Sequence, residues 1–177
     1  MNGSATPRPL QHASEAIVPA PVDSVFAHLD DHARLASHME RPSWMLGGGY
    51  MHAEIDAARG QAVGSRIALS GRAFGIRLSV EEVVTARSPP THKVWATRGT
   101  PRLLVIGHYR MGFDLVPVAD ATKLRVVIDY ALPDAGPGRV LGRLFGPTYA
   151  RWCTRRMVDD AVENFSAPIR RRQSDGH

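Results

Sequence analysis

The sequence predicts an α+β fold in which a curved antiparallel sheet of about seven strands wraps around a long C-terminal helix. The segment Pro147–Ser166 places apolar residues every three or four positions, which is the period of a helix with one buried face. Most of the preceding chain instead alternates apolar and polar residues between short turn signals. Such short links favour antiparallel neighbours, and such alternation favours a sheet covered on one face only.

The first predicted strand is Leu10–Val18, and prolines end it. Two short helices follow, of which the second is stopped by Pro42. Six further strands are predicted at Tyr50–Ala58, Ser65–Ala73, Ile76–Ala86, Lys93–Thr97, Leu103–Leu115 and Lys123–Leu132. A separate helical turn is expected at Val140–Phe145, before Gly146 and the long helix.

The length of 177 residues indicates one domain, expected at residues 10–166. Residues 1–9 are rich in glycine, serine and proline and are expected to be disordered, and residues 167–177 are expected to be a basic, flexible tail. The single cysteine, Cys153, excludes an internal disulfide and favours the cytoplasm as a reducing compartment. It lies on the apolar side of the predicted helix and is interpreted as a core residue.

The net charge of +5 does not by itself indicate nucleic acid binding, because the arginines are scattered and no basic strand with interleaved aromatics is present. No apolar run is long enough to span a bilayer, so stable membrane insertion is not expected. No cofactor is predicted, since dinucleotide, phosphate-loop and paired-cysteine motifs are absent. No metal is predicted either, and His28 and His32 are interpreted as a solvated pair.

The loop Glu40–Gly49 has two interpretations. Its three consecutive glycines give it backbone freedom, and Trp44 and Met45 are large apolar residues beside them. The loop is either a connection whose apolar residues fill the core or a mobile lid over a pocket.

The order of strand, two helices, six strands and a long helix resembles the START-like (SRPBCC) superfamily, also called the helix-grip or Bet v 1-like fold. The resemblance is carried by EAIVPAPVDSVFAHLDD (Glu15–Asp31), by the strand pair Ile106–Pro133 and by the final helix, and it points to the bacterial polyketide cyclase/dehydrase-like branch. It implies a cavity between sheet and helix, entered near Pro42–Gly49. Members of the superfamily bind lipids, polyketides, quinones or plant metabolites, and a few are enzymes, so the fold alone does not select a function.

The residues expected to line this cavity are mostly large and apolar. They are Trp44, Met45, Leu78, Val80, Trp95, Tyr109, Met111, Tyr130, Tyr149, Cys153 and Met157. Glu82 is a carboxylate on an otherwise apolar strand face, where an ion pair or a strand edge is the alternative to a catalytic base. His108 and Arg110 share a face opposite Tyr109, so they are expected to meet water unless a bulge turns them inward.

Three functions remain open on the sequence. The first is binding of a small hydrophobic molecule by a monomer or homodimer, with tyrosine hydroxyls orienting the ligand. The second is a cyclase, dehydratase or hydrolase using His108, Arg110, Tyr109 or Tyr130 for proton transfer or enolate stabilisation. The third is a protein-interaction module with a filled core.

Overall fold

The computed structural model describes residues 9–37, 50–133 and 137–174, and in these ranges the chain forms one sheet and three helices. The elements in chain order are β1 (Leu10–Val18), α1 (Val22–Asp30), α2 (His32–Ser37), β2 (Tyr50–Ile55), β3 (Arg66–Ala73), β4 (Ile76–Ser88), β5 (His92–Arg102), β6 (Tyr109–Val118), β7 (Ala121–Tyr130) and α3 (Pro137–Ser174). The predicted fold class is therefore confirmed.

The sheet has seven strands in the order β1-β7-β6-β5-β4-β3-β2, and every neighbouring pair is antiparallel. Strands β2 to β7 are neighbours in space in the same order as in the sequence. Only β1 lies outside this order, because it pairs with β7. Antiparallel order separates the connections into two ends. The β3–β4 turn, the β5–β6 connection and the start of α3 lie at one end, whereas α1 and the β4–β5 and β6–β7 turns lie at the other.

The inner face of the sheet carries the core, as the alternation predicts. Successive inward positions of β4 are Leu78, Val80, Glu82 and Val84, and all are buried. The core divides into two clusters, one on β6, β7, α1 and α3 and the other on β3 and β4. Tyr109 and Leu103 pack against both clusters, so they lie where the two halves of the interior meet.

The long helix begins ten residues earlier than the predicted start at 147 and extends to Ser174. The predicted separation at Gly146 and Pro147 is wrong, because the helix runs through both. An internal proline usually costs about 3 kcal/mol, and tertiary packing here outweighs that local preference. A side chain at Gly142 would place its Cβ 2.9 Å from the Val105 carbonyl oxygen, so glycine permits this close approach.

The helix α3 packs mainly on β1 and β7, the two strands at one side of the sheet, and on α1. The hydroxyls of Ser14 on β1 and Thr154 on α3 lie 2.8 Å apart. On α1, His28 lies 3.0 Å from the Asp160 carboxylate and packs edge-on against Phe165. These contacts place α3 over one half of the curved sheet.

A buried ionic cluster closes the end of the interior near α1. The Lys93 side chain is fully buried, and its Nζ donates to Asp30 Oδ1 at 2.7 Å and to the Asp30 carbonyl oxygen at 2.8 Å. Arg87 donates to the same carboxylate from two nitrogens. Burial alone would raise the pKa of Asp30, but hydrogen bonds from Arg87 and Lys93 hold it below its usual value. The cluster joins the end of α1 to β4 and β5.

We expect Asp30→Asn to lower the free energy of unfolding by about 3–5 kcal/mol, because it leaves the Lys93 ammonium buried without a counter-charge. Urea denaturation measures this loss. The control is Glu15→Gln, whose ion pairs with Lys123 and Arg125 are exposed, so its cost should stay within about 1 kcal/mol. Equal small losses for both variants would contradict a structural role for the cluster.

Candidate functional site: a buried carboxyl between sheet and helix

The inner face of β4 carries one carboxyl among apolar residues. Glu82 is 5% exposed and is flanked along its strand by Val80 and Val84. The Tyr109 hydroxyl on β6 donates a hydrogen bond to Glu82 Oε1. The sequence left a strand edge or an ion pair as alternatives for Glu82, but the structure pairs it with a neutral phenol instead.

This environment changes the protonation of the carboxyl. Burial raises the pKa of Glu82 from 4.5 to about 7, while hydrogen bonds from Tyr109 and Trp95 oppose the rise. Burial and the nearby Glu82 charge in turn raise the pKa of Tyr109 well above 10. Near neutral pH the carboxyl therefore exists in both protonation states, and the phenol keeps its proton.

The helix α3 supplies the polar groups that face this carboxyl. Tyr149 and Cys153 lie one turn apart on this helix, and both interact with the Glu82 charge. The Cys153 sulfur, together with burial, raises the pKa of Tyr149 well above 10. Burial raises the pKa of Cys153 to about 12, so the thiol is protonated and a weak nucleophile. The group can donate and accept hydrogen bonds, but it presents no thiolate.

Several residues between helix and sheet retain accessible surface. Tyr109, Tyr149, Cys153 and Met157 are only partly buried, although they pack against the main core cluster and face the interior. Inward-facing groups on both β6 and α3 therefore keep some accessible surface beside Glu82.

The structure brings most of the predicted cavity-wall residues to the inner face. Five of them are buried there, namely Leu78, Val80, Trp95, Met111 and Tyr130. The partly buried Tyr109, Tyr149, Cys153 and Met157 complete this set. Trp44 and Met45 lie outside the described residues, so the two interpretations of their loop stay predictions.

His108 and Arg110 do not join this group. Both are exposed, and Arg110 on β6 points to the opposite face from Tyr109 and Met111. The His108 ring nitrogen Nδ1 lies 3.2 Å from the Thr97 hydroxyl. The expectation that they meet water agrees with the structure, and the enzyme hypothesis therefore cannot use them as an interior acid–base pair.

The interpretation of His28 and His32 as a solvated pair is wrong, because both are buried. His32 Nδ1 lies 2.9 Å from Lys93 Nζ, and its ring packs edge-on against Trp95. Burial, followed by the Lys93 charge, lowers the pKa of His32 to about 3, so the ring is neutral. Its Nε2 is the buried side-chain atom that lacks a hydrogen-bond partner in the part of the chain described.

Sequence reasoning missed the Lys93 cluster. A lysine at the start of a strand usually faces water, and only the alternation of Lys93 with Trp95 signals its inward direction.

An open cleft of about 400 Å³ lies between β1 and the exposed side of α3, where Arg151, Arg155 and Asp159 border it. It lies away from the Glu82 group.

Within residues 9–37, 50–133 and 137–174, no cluster of histidine, cysteine and acidic side chains is arranged to hold a metal ion. None of the helices in these ranges combines the length and apolar character needed to cross a membrane.

A curved antiparallel sheet that grips a long C-terminal helix defines a helix-grip, Bet v 1-like protein. The chain belongs to the family described as polyketide cyclase / dehydrase and lipid transport, which matches residues 11–169. The resemblance stated from the sequence is thereby confirmed. Among curated proteins, no match was found.

Solved structures share the fold at low sequence identity. The ZhuI aromatase/cyclase from a Streptomyces species superposes with a TM-score of 0.68 at 14% identity, covering 91% of this chain and 96% of its own. The di-domain aromatase/cyclase BexL gives 0.64 at 16% identity, covering 90% of this chain and 50% of its own. Protein CV1439 from Chromobacterium violaceum gives 0.60 at 16% identity, covering 89% and 98%.

We expect Glu82 to make the protein less stable as pH rises from 4.5 to about 7. The unfolded carboxyl ionises near 4.5, whereas the folded one holds its proton to about 7, so the free energy of unfolding falls across this window by on the order of 3 kcal/mol. Urea denaturation at pH 4.5 and pH 8 measures the loss. Glu82→Gln should remove it, and the neighbouring Glu81→Gln should retain it. An identical pH dependence in wild type and Glu82→Gln would contradict the assignment.

Proposed function

We propose that the protein binds a small hydrophobic molecule between the sheet and α3, and that a hydroxyl or carbonyl of the ligand bonds to the Glu82–Tyr109 group. The supporting observation is the partly accessible interior that ends at this polar group. Apolar walls supply affinity, at about 25 cal/mol per Å² of buried apolar surface before the costs of binding. The few polar groups supply orientation.

The pKa of Glu82 suits two classes of ligand group. Below about 7 the protonated carboxyl can donate to a ligand carbonyl, and above it the carboxylate can accept from a ligand hydroxyl. Lipids, polyketides, quinones and aromatic metabolites carry such groups on apolar frames. We place this activity in the cytoplasm, in line with the presence of a single cysteine in the sequence.

A second candidate is a cyclase, dehydratase or hydrolase in which Glu82 and Tyr109 transfer protons. Its support is a carboxyl whose pKa lies near the operating pH in a water-poor interior, the condition that favours general acid–base catalysis. Two structural neighbours, BexL and ZhuI, are aromatase/cyclases. This version replaces the sequence-based pair His108 and Arg110 by Glu82, and it retains Tyr109.

Fluorescence titration with 2-naphthol and with 2-methoxynaphthalene tests the proposal, because the two probes differ in hydroxyl donation and little in apolar area. At pH 8 we expect saturable binding of both, with 2-naphthol about tenfold tighter, in line with a hydrogen bond to a charged acceptor.

Glu82→Gln and Tyr109→Phe should reduce this preference, whereas Glu81→Gln should leave it unchanged. If neither probe binds saturably, the result would contradict the proposal and favour an interaction module with a filled core. Equal affinities in the wild type would retain a hydrophobic site but exclude Glu82 as its anchor.

A further inference from the structure

Exposed apolar side chains gather at one end of the molecule. The turn between β3 and β4 presents Phe74, 67% exposed, and the first half of α3 presents Leu144, 66% exposed. Ile76, Val140, Leu141 and Phe145 add to this surface. Antiparallel order places the turn and the start of α3 at the same end of the sheet, opposite the end closed by the Lys93 cluster.

The β5–β6 connection joins the two parts of this surface. The start of α3 lies against Leu104 and Val105, because a Cβ at Gly138 or Gly142 would contact their carbonyl oxygens. Leu103 and Leu104 also pack against the core cluster of β3 and β4. The surface is therefore carried by connected elements of the fold rather than by separate loops.

Phe74 occupies a backbone position that disfavours it. The two turn residues Phe74 and Gly75 have φ angles of 51° and 78°, which lie in the left-handed region. Two-residue turns of this kind prefer asparagine, aspartate or glycine at the first position. A phenylalanine there strains the turn, and its exposure shows that it does not fill the core. Neither the geometry of the turn nor packing in the core therefore explains why a phenylalanine stands at position 74.

The same end is strongly basic. The segments 70–79, 98–108 and 137–148 contain six arginines and no aspartate or glutamate, and the described acidic residues that border them are the half-buried Glu81 and Asp129. The arginines are Arg72, Arg77, Arg98, Arg102, Arg139 and Arg143, and all are exposed. Exposed acidic residues lie at the opposite end, among them Asp23, Asp56 and Asp120. The molecule therefore has a basic, apolar end, which we call the basic end and define by these three segments.

We propose that the basic end docks on the surface of a membrane that contains anionic lipid. Phe74, Leu144 and Phe145 would enter the boundary between headgroups and acyl chains, while the arginines contact lipid phosphates. A second copy of the chain fits less well, because two basic ends would bring six exposed arginines of each copy together, with only the half-buried Glu81 and Asp129 among the described acidic residues nearby. An anionic membrane supplies negatively charged phosphates for the arginines and an apolar layer for the exposed apolar side chains.

Co-sedimentation with vesicles tests the proposal on the full chain. Vesicles of equal phosphatidylglycerol and phosphatidylcholine should bind the protein, and vesicles of phosphatidylcholine alone should bind it at least tenfold more weakly. We expect Phe74→Asn to weaken binding about fivefold to tenfold while raising the thermal unfolding temperature, because asparagine suits the turn but does not enter the membrane. Arg139→Gln and Arg143→Gln should each weaken binding about fivefold.

Val63→Asn is the matched control, because Val63 is 63% exposed but lies in the β2–β3 connection at the other end. It should bind vesicles as the wild type does. Failure of the wild type to bind the anionic vesicles would overturn the proposal, as would equal binding by Phe74→Asn. Lipid-free self-association that Phe74→Asn abolishes would also overturn it, because the surface would then be an interface between copies. These outcomes are independent of the naphthol titration.

Discussion

One long helix is too narrow to cover a seven-stranded sheet, and the rest of the structure depends on this difference in width. An α-helix is about 10 Å wide with its side chains, whereas strands lie about 4.8 Å apart, so one helix covers only a few of them. Here α3 packs mainly on β1 and β7, and α1 adds cover near β6. The inner faces of β3 and β4 form their own apolar cluster. Curvature of the sheet brings the two halves towards each other, and they meet at Tyr109, which packs against both.

The polar groups of the interior divide into two kinds. Asp30, Lys93 and Arg87 satisfy one another and fix the end of α1 on the sheet, which is a structural use of buried charge. Glu82 has no cationic partner among the described residues, and it bonds instead to neutral donors. A buried carboxyl without a counter-ion destabilises the fold above its pKa. This cost in stability is understandable if a ligand or a reaction uses the Glu82 carboxyl.

Much of this architecture follows from the sequence. Alternation on β4 and β7 and the helical period after residue 147 are enough to predict the sheet, its inner face and the long helix. The continuous helix through Pro147 is not predictable locally, because local rules place a helix break at Gly146 and Pro147, whereas the close approach of Gly142 to the distant Val105 is a tertiary contact. The Tyr109–Glu82 pair likewise joins residues from different strands, and the inward direction of Glu82 was predictable while its partner was not.

The proposed binding function requires an accessible space with apolar walls between α3 and the sheet. Diffraction from a crystal held under xenon pressure tests it directly, since xenon enters apolar cavities and avoids packed cores. We expect xenon density bounded by Tyr109, Tyr149 and Met157, with the Glu82 carboxyl at its edge. Absence of xenon there, with these side chains in mutual contact, would show a filled core and contradict the proposed function.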